Sequence, residues 1–200
     1  LLVSIIKEHK RIIFNGNGYS DEWVAEAEKR GLPNFRSTVD CVPHYADAKN
    51  VALLQKFGVL SEKEIKARME VLLENYAKTI NIEALTMIDM TKKKYIPTCI
   101  AYTKELCDAA AVKQSLDICS CVEKELAEKV SSLTKAAYEA TEKLEAAVAA
   151  AAAKDDCVLS MAKSYREDVI PVMDDLRAAV DALEVITPSE KWPVPAYSDI

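Results

Sequence analysis

The sequence predicts an all-α protein: a long-helix bundle with an antiparallel helical hairpin, preceded by an irregular N-terminal segment. All four glycines lie at or before Gly58, and the only prolines between Gly58 and Pro188 are Pro97 and Pro171. Because glycine and proline most often mark turns, residues 59–187 are expected to form long helices with few breaks. Apolar residues in the second half of the chain also recur at steps of three and four, which is the period of an α-helix.

Three segments are predicted, and together they form one domain. Residues 1–58 are expected to be short helices and loops, residues 59–187 the long-helix bundle, and residues 188–200 an extended C-terminal tail. A chain of 200 residues, of which 50% are hydrophobic, is long enough to bury the core that such a bundle needs.

Three short helices are predicted in the N-terminal segment. The first covers residues 2–9. The second covers residues 21–30 and follows Ser20, whose side chain is a favourable N-cap. The third covers residues 47–57. A glycine follows each of the last two helices, where the left-handed backbone that ends many helices favours this residue.

A capping box, Ser61-x-x-Glu64, marks the start of the first long helix. Its helical spacing continues to Tyr95, shortly before Pro97. Pro97 has two possible positions, since it could kink this helix or lie in the first turn of the next one. The apolar residues that define the spacing are Ile65, Met69, Leu72, Tyr76 and Ile80.

Two sustained apolar seams predict the antiparallel hairpin. The segment Lys154-Asp155-Asp156 lies between them and is the predicted reversal. The alanine-rich run at residues 146–154 strongly favours helix, and its small side chains allow a second helix to approach closely. The first seam is Val122, Leu126, Val130, Leu133, Ala137, Ala140, Leu144, Ala147 and Ala151, and the second is Ala162, Tyr165, Val169, Val172, Leu176, Ala179 and Leu183.

Regular structure is expected to end at Thr187-Pro188. The tail that follows contains three of the seven prolines, counting Pro188, together with Trp192 and Tyr197. We expect this tail to lie extended across another surface.

Composition and charge argue against several classes of function. A net charge of −6 argues against nucleic acid as the main partner, because binding phosphates needs a basic face. No apolar run approaches the roughly 20 residues that span a bilayer, and the opening LLVSII lacks the features of a signal peptide. The six cysteines are irregularly spaced, which is typical of a cytosolic protein. The chain begins within a predicted helix and without methionine, so we expect it to be part of a longer protein.

Four motifs could carry chemistry, and for each of them we favour a structural role. Cys41-x-x-His44 has half the ligands of a zinc site, without a second half. Gly16-x-Gly18 lacks the third glycine of a dinucleotide site and is better explained as a turn. Lys92-Lys93-Lys94 fits the solvated end of a helix, where the helix dipole favours cations. Cys119-Ser120-Cys121 is interpreted as helical packing, because residues two apart on a helix do not face each other.

The stretch Thr79–Met90 has apolar residues around nearly its whole circumference, with polar residues between them. Thr79, Glu83 and Thr86 form one narrow stripe, and the other polar residues lie elsewhere on the helix. These groups do not converge on one reacting atom, as a general acid and base must. We therefore interpret the stretch as a helix packed on several sides and not as a buried active site.

Three runs of sequence resemble the C-terminal region of type III glutamine synthetases. They are KEHKRIIFNGNGYSDEWVAEAEKRGLPN at Lys7–Asn34, LENYAKTINIEALTMIDM at Leu73–Met90, and WPVPAYSDI at Trp192–Ile200. The resemblance covers most of the chain in order, from the N-terminal segment to the tail.

The resemblance implies a parent enzyme that makes glutamine from glutamate and ammonia, using ATP and divalent metal ions such as magnesium. It implies large, ring-shaped homo-oligomers in the cytoplasm and a catalytic domain that precedes this region. Nothing here resembles the metal-binding glutamates or nucleotide contacts of the family. We therefore predict no catalytic, cofactor-binding or metal-binding residue in this chain.

The resulting expectation is a non-catalytic helical domain with a structural or assembly role, which is inactive alone. Its partners would be its own catalytic domain and the other subunits of a homo-oligomer, with neither nucleic acid nor membrane. The alternative is a free-standing helical scaffold or protein-interaction module. A regulatory ligand pocket between the helices is a third possibility that the sequence leaves open.

Overall fold

The computed structural model of the protein describes residues 1–154 and 157–195. These residues form α-helices joined by short turns, without a β-strand, which confirms the predicted all-α class. The helices are α1 (Leu2–His9), α2 (Asp21–Lys29), α3 (Thr38–Cys41), α4 (Ala48–Lys56), α5 (Glu62–Met90), α6 (Ile96–Ser115), α7 (Cys121–Ala152), α8 (Val158–Ser164) and α9 (Ile170–Ile186).

The predicted start signals act as N-caps. The Ser61 hydroxyl accepts a hydrogen bond from the Glu64 backbone N–H at 3.3 Å, and the Glu64 carboxylate accepts one from the Ser61 backbone N–H at 2.7 Å. This reciprocal pair satisfies donors that would otherwise be unpaired at the start of α5. Hydrogen bonds from the backbone and side chain of Ser61 also lower the pKa of Glu64. At α2, the Ser20 hydroxyl accepts from the Trp23 backbone N–H.

Helix α7 lies at the centre of the bundle, between α6 on one side and α9 on the other. Many of its buried side chains are small, so the neighbouring backbones approach closely and pack larger residues into the space. Leu144 of α7 and Leu176 and Leu183 of α9 are fully buried in the same core. The buried residues of α7 are Ala127, Val130, Ala137, Ala140, Thr141, Leu144, Val148 and Ala151.

The antiparallel hairpin of α7 with α8 and α9 is confirmed. All residues of the predicted second seam are buried or half-buried, and so are those of the first seam from Leu126 onward. Val122 is an exception, because it is 65% exposed at the start of α7. The reversal falls between Ala152 and Val158, as predicted. Asp155 and Asp156 of the predicted turn lie outside the described residues.

The prediction that Thr79–Met90 is packed on several sides is wrong. Helix α5 buries one face only, and the opposite face, including Ile82 and Leu85, is exposed. Thr79, Glu83 and Thr86 also face solvent. Four residues of the predicted seam, Ile65, Met69, Tyr76 and Ile80, are buried or half-buried. Leu72 is the exception, because it is 42% exposed while its neighbour Leu73 is buried. The physical reason is that α5 lies at the edge of the bundle, with neighbouring helices only on the side of its buried face.

Both interior prolines follow a single turn of π-helix. Thr91–Tyr95 and Tyr165–Val169 are π-helical, and Pro97 and Pro171 occupy the first turn of the helices that follow them, α6 and α9. A proline lacks the N–H that would bond to the carbonyl four residues earlier, and its ring clashes with that carbonyl. The wider π-turn accommodates this interruption while the chain remains helical. Of the two positions considered for Pro97, the structure therefore supports the first turn of the next helix.

The turn between α6 and α7 has no glycine. Asp117 adopts the left-handed conformation, with φ of 56°, and the Ile118 N–H donates to the Lys113 carbonyl at 2.9 Å. Helices α2 and α4 end in the same way, with Gly31 and Gly58 in the left-handed conformation and the N–H of the next residue donating to the carbonyl five residues before it. Aspartate is one of the few residues besides glycine that tolerate this conformation. A search of the sequence for glycine consequently misses this reversal.

The described part of the tail packs back onto the bundle. Residues 188–192, predicted to be extended, form a hydrogen-bonded turn in which the Trp192 N–H donates to the Pro188 carbonyl at 3.1 Å. The Trp192 ring is buried and stacks on Tyr95, with centroids 5.1 Å apart. Lys191 pairs with Glu105 of α6 at 2.7 Å. Residues 196–200 of the predicted tail lie outside the described residues.

Within the described residues, no helix combines the length and the apolar character needed to cross a membrane.

Leu73→Ala and Leu72→Ala should differ strongly in their effect on stability. Leu73 is 1% exposed in a cluster with Val39, Val42 and Ala162, so its truncation leaves a cavity. We expect Leu73→Ala to lower the free energy of unfolding by about 2–5 kcal/mol. Leu72→Ala, on the exposed side, should cost less than about 1 kcal/mol. Urea denaturation of the two variants measures both values, and equal losses would contradict the burial of Leu73 and the exposure of Leu72.

Gly58→Ala should destabilise the protein through the backbone alone. Gly58 has φ of +62°, and an added Cβ would meet no atom within 4 Å. The expected loss is about 1–2 kcal/mol, which is the cost of the left-handed conformation for a residue with a Cβ. Gly18→Ala is the matched control, because its Cβ would also meet no atom within 4 Å and its backbone is not left-handed. Thermal melts should show a lower Tm for Gly58→Ala only.

Candidate functional site

Exposed apolar side chains form a continuous surface across α4, α5 and the turn before α4. We define the Tyr45 surface as Phe35, Tyr45, Leu53, Val71 and Leu72, each between 41% and 54% exposed. Tyr45 joins its two halves, because it lines a cleft of about 350 Å³ with Phe35 and Leu53 and a second of about 500 Å³ with Val71 and Leu72. Exposed apolar side chains of this kind, grouped and not scattered, mark interaction sites.

A small satellite core holds this surface in place. Val39 of α3 and Val42 of the following 3₁₀ turn (Val42–Ala46) are buried against Leu73 of α5 and Ala162 of α8. The same 3₁₀ turn carries His44 and Tyr45. Burial of these aliphatic side chains fixes the backbone of the turn, so Tyr45 projects from a rigid support.

His44 is the most highly organised polar side chain of this region. Its Nδ1 lies 2.9 Å from an Asp47 carboxylate oxygen, and its ring stacks on Phe35 with centroids 4.2 Å apart. Its backbone carbonyl accepts a hydrogen bond from the Asn50 side chain at 2.7 Å. Since a carboxylate only accepts, Nδ1 carries the proton, and Nε2 is the ring nitrogen available to a further partner. The arrangement can therefore offer one oriented hydrogen-bonding group beside an apolar surface.

Cys41 and His44 line the same cleft, but a metal centre needs more ligands than these two. Residues 1–154 and 157–195 contain no group of three His, Cys, Asp or Glu side chains that could hold a metal ion. The sequence analysis had singled out Cys41 and His44, and it missed Asp47, Phe35 and Asn50. Asp47 stands three residues after His44, a spacing that could have indicated the pairing.

The Gly16-x-Gly18 segment is a turn that leads into α2. The Tyr19 backbone N–H donates to the Asn17 side chain at 3.0 Å, and the Ser20 N–H donates to the Asn17 carbonyl. A Cβ at Gly16 would lie 2.5 Å from the Phe14 ring, which packs at a tilt against Trp23 with centroids 4.6 Å apart. Gly16 therefore makes room for an aromatic pair, in agreement with the structural role that was favoured.

The three lysines at residues 92–94 are exposed, as expected, but they lie in a π-turn between two helices and not at a free helix end. Lys92 pairs with Glu145 of α7 at 2.5 Å, and Lys93 pairs with Asp89 of α5. Two of the three positive charges are thus paired with carboxylates. They do not form an open basic patch.

Interpreting Cys119-Ser120-Cys121 as helical packing is wrong. The two sulfur atoms lie 2.7 Å apart, and both residues are exposed. Cys121 is the first residue of α7, while Cys119 precedes the helix. Residues two apart point in different directions only when both lie on a helix, and here Cys121 is helical while Cys119 is not.

Comparisons with known proteins agree on one family. The family model described as "Glutamine synthetase C-terminal domain" matches residues 1–114, which run from α1 almost to the end of α6. The chain is 37% identical over 210 residues to "Glutamine synthetase" of Butyrivibrio fibrisolvens, a match that covers 100% of this chain and 29% of that relative.

Two further relatives show the same pattern. Identity is 33% over 201 residues to "Type-3 glutamine synthetase" of Dictyostelium discoideum, covering 96% of this chain and 27% of the relative. The identity to "Glutamine synthetase" of Bacteroides fragilis (strain YCH46) is 29% over 206 residues, a match that covers 98% of this chain and 28% of that relative. The chain therefore spans less than a third of the length of these relatives.

Proposed function

Because the chain belongs to the glutamine synthetase C-terminal domain family, we propose that it is the non-catalytic C-terminal helical domain of a glutamine synthetase, with a structural or assembly role. The relatives support placing it in a longer polypeptide, since each match covers at least 96% of this chain and at most 29% of the relative. The parent enzyme would ligate ammonia to glutamate at the expense of ATP.

ATP and a divalent metal such as magnesium belong, in this proposal, to the remainder of the parent enzyme. Among the described residues, no group of three His, Cys, Asp or Glu side chains could hold a metal ion.

The observation that carries the structural role is the Tyr45 surface. Its five side chains lie beside the satellite core of Val39, Val42, Leu73 and Ala162 and are between 41% and 54% exposed. Covering apolar area stabilises an assembly by about 25 cal/mol per Å². The partner we assign to this surface is the catalytic domain of the same polypeptide, with His44 Nε2 available for one hydrogen bond at its edge.

Other surfaces fit contacts with further subunits of a homo-oligomer. Ile82 and Leu85 on the outer face of α5 are 64% and 49% exposed. We place the assembly in the cytoplasm. The net charge of −6 supports protein partners over nucleic acid.

The alternative function, a free-standing helical scaffold or protein-interaction module, uses the same apolar surface for a separate protein. The coding sequence upstream of Leu1 distinguishes the two. A continuous reading frame for a large domain with acidic metal ligands supports the synthetase, and a start codon near Leu1 supports the module.

The isolated chain should have no glutamine synthetase activity. We expect no ATP hydrolysis that depends on glutamate and ammonia, measured as phosphate release, under conditions in which the full-length enzyme turns over. The reason is that no group of three His, Cys, Asp or Glu side chains among the described residues could hold the metal ion that the reaction would need. Measurable turnover by the isolated chain would refute the non-catalytic assignment.

Val71→Asp should weaken docking of this domain in the full-length enzyme. Val71 is 53% exposed on the Tyr45 surface, so an aspartate is tolerated in the isolated chain, with a change in unfolding free energy within about 1 kcal/mol. In the full-length enzyme it would replace a buried apolar contact worth about 1.5–3 kcal/mol and bury a charge. We expect a lower Tm and faster limited proteolysis between the domains.

Val185→Asp is the matched control. Val185 is 85% exposed on α9, outside the Tyr45 surface, so the same change in charge should leave the full-length enzyme unaltered. Light scattering on both variants separates the possible partners. Smaller oligomers without faster proteolysis for Val71→Asp would assign the surface to another subunit, and wild-type behaviour would exclude it as an interface.

A further inference from the structure

The α6–α7 turn brings two cysteine thiols into contact on the surface of the protein. The Sγ atoms of Cys119 and Cys121 lie 2.7 Å apart, and both side chains are exposed. This separation is within about 1 Å of the roughly 2.05 Å length of a disulfide bond. Among the described residues, Cys107 on the neighbouring helix α6 is exposed and has no thiol in contact with it.

The local fold explains why the two thiols meet. The α6–α7 reversal runs through Asp117 in the left-handed conformation, which places Ile118 and Cys119 before the start of α7. Ser120, between the two cysteines, is buried. Because Ser120 faces the protein, the cysteines on either side of it face solvent together.

The two thiols are not equivalent. Hydrogen bonding with the side chain and the backbone of Cys121 lowers the pKa of Cys119. The hydrogen bond and charge of Cys119 in turn raise the pKa of Cys121. Among the nearby charged groups, Lys113 favours the Cys119 thiolate and Glu123 opposes it, while Lys124 acts on Cys121. Cys119 is thus the better nucleophile, and Cys121 is a thiol held against it.

The buried cysteine of the bundle shows the opposite environment. Cys99 is fully buried, and burial raises the pKa of its thiol. A thiol that is neither exposed nor ionised reacts slowly with disulfides. Cys99 should therefore react more slowly than the two exposed cysteines of the α6–α7 turn.

We propose that Cys119 and Cys121 form a reversible dithiol–disulfide site that reacts with small soluble disulfides of the glutathione class. The Cys119 thiolate attacks one sulfur of the oxidant, whose S–S bond breaks to give a mixed disulfide on Cys119 and one released thiolate. The Cys121 thiol gives up its proton to that thiolate. The Cys121 sulfur then attacks the Cys119 sulfur and displaces the second thiolate, which takes a proton from water. The protein dithiol loses two electrons, and the small disulfide gains them to become two thiols.

The geometry favours the second step over addition of a second glutathione. Cys121 is held beside Cys119 before the reaction begins, so its attack is intramolecular and has a high effective concentration. Neither cysteine belongs to the hydrophobic core, so oxidation should leave the helical bundle folded.

Peptide mapping of the full chain tests the site. The protein is incubated with excess glutathione disulfide, the remaining thiols are alkylated, and trypsin is added. Residues 114–124 form one tryptic peptide, which contains Cys119 and Cys121, and residues 105–113 form another, which contains Cys107 alone. We expect the first peptide to lose two hydrogen atoms and escape alkylation, and to recover both thiols after dithiothreitol. The Cys107 peptide is the internal control and should be alkylated or carry glutathione.

Single substitutions separate the two roles. Cys121→Ser should trap glutathione on Cys119, because the resolving thiol is gone. Cys119→Ser should slow modification of Cys121 to the rate seen at Cys107 or below. Circular dichroism checks that both variants fold. We expect them to fold because both substituted residues are exposed. A wild-type 114–124 peptide that carries two glutathiones, or stays fully reduced while Cys107 reacts, would overturn the proposal.

Discussion

Close packing along helix α7 is the constraint on which the rest of the structure depends. Fully buried alanines at Ala137 and Ala151 let α6 and α9 approach from two sides, and Leu144, Leu176 and Leu183 fill the space between them. Small residues facing large ones give the interdigitation that protein interiors require. Thr141, buried in the same face, hydrogen-bonds to the Ala137 carbonyl at 2.7 Å, so its hydroxyl is not left unpaired.

This packing also explains the form of the two helix interruptions. The chain must continue as a helix on both sides of Pro97 and Pro171 to keep its seams facing α7, although each proline breaks the hydrogen-bond pattern. One π-turn before each proline resolves the conflict. At the first of these turns, Trp192 stacks on Tyr95 and closes the end of the core.

The proposed docking surface lies away from α7. Val39 and Val42 hold the short elements that support the Tyr45 surface. The Cys119–Cys121 pair lies in the turn that follows the C-terminal end of α6. One region suits a large apolar partner and the other suits a small redox-active molecule. The two proposals depend on different residues, so each can fail without the other.

The sequence by itself determined the all-α class, the caps at Ser20 and Ser61, the hairpin and the family, because helix periodicity, capping and runs of family sequence are local signals. It did not determine which face of α5 is covered. Leu72 and Leu73 are identical in type and adjacent in sequence, so the sequence does not distinguish them. The location of α5 at the edge of the bundle decides that Leu73 is buried and Leu72 is exposed. The contact between the Cys119 and Cys121 thiols likewise follows from the conformation of the α6–α7 turn, in which Asp117 is left-handed.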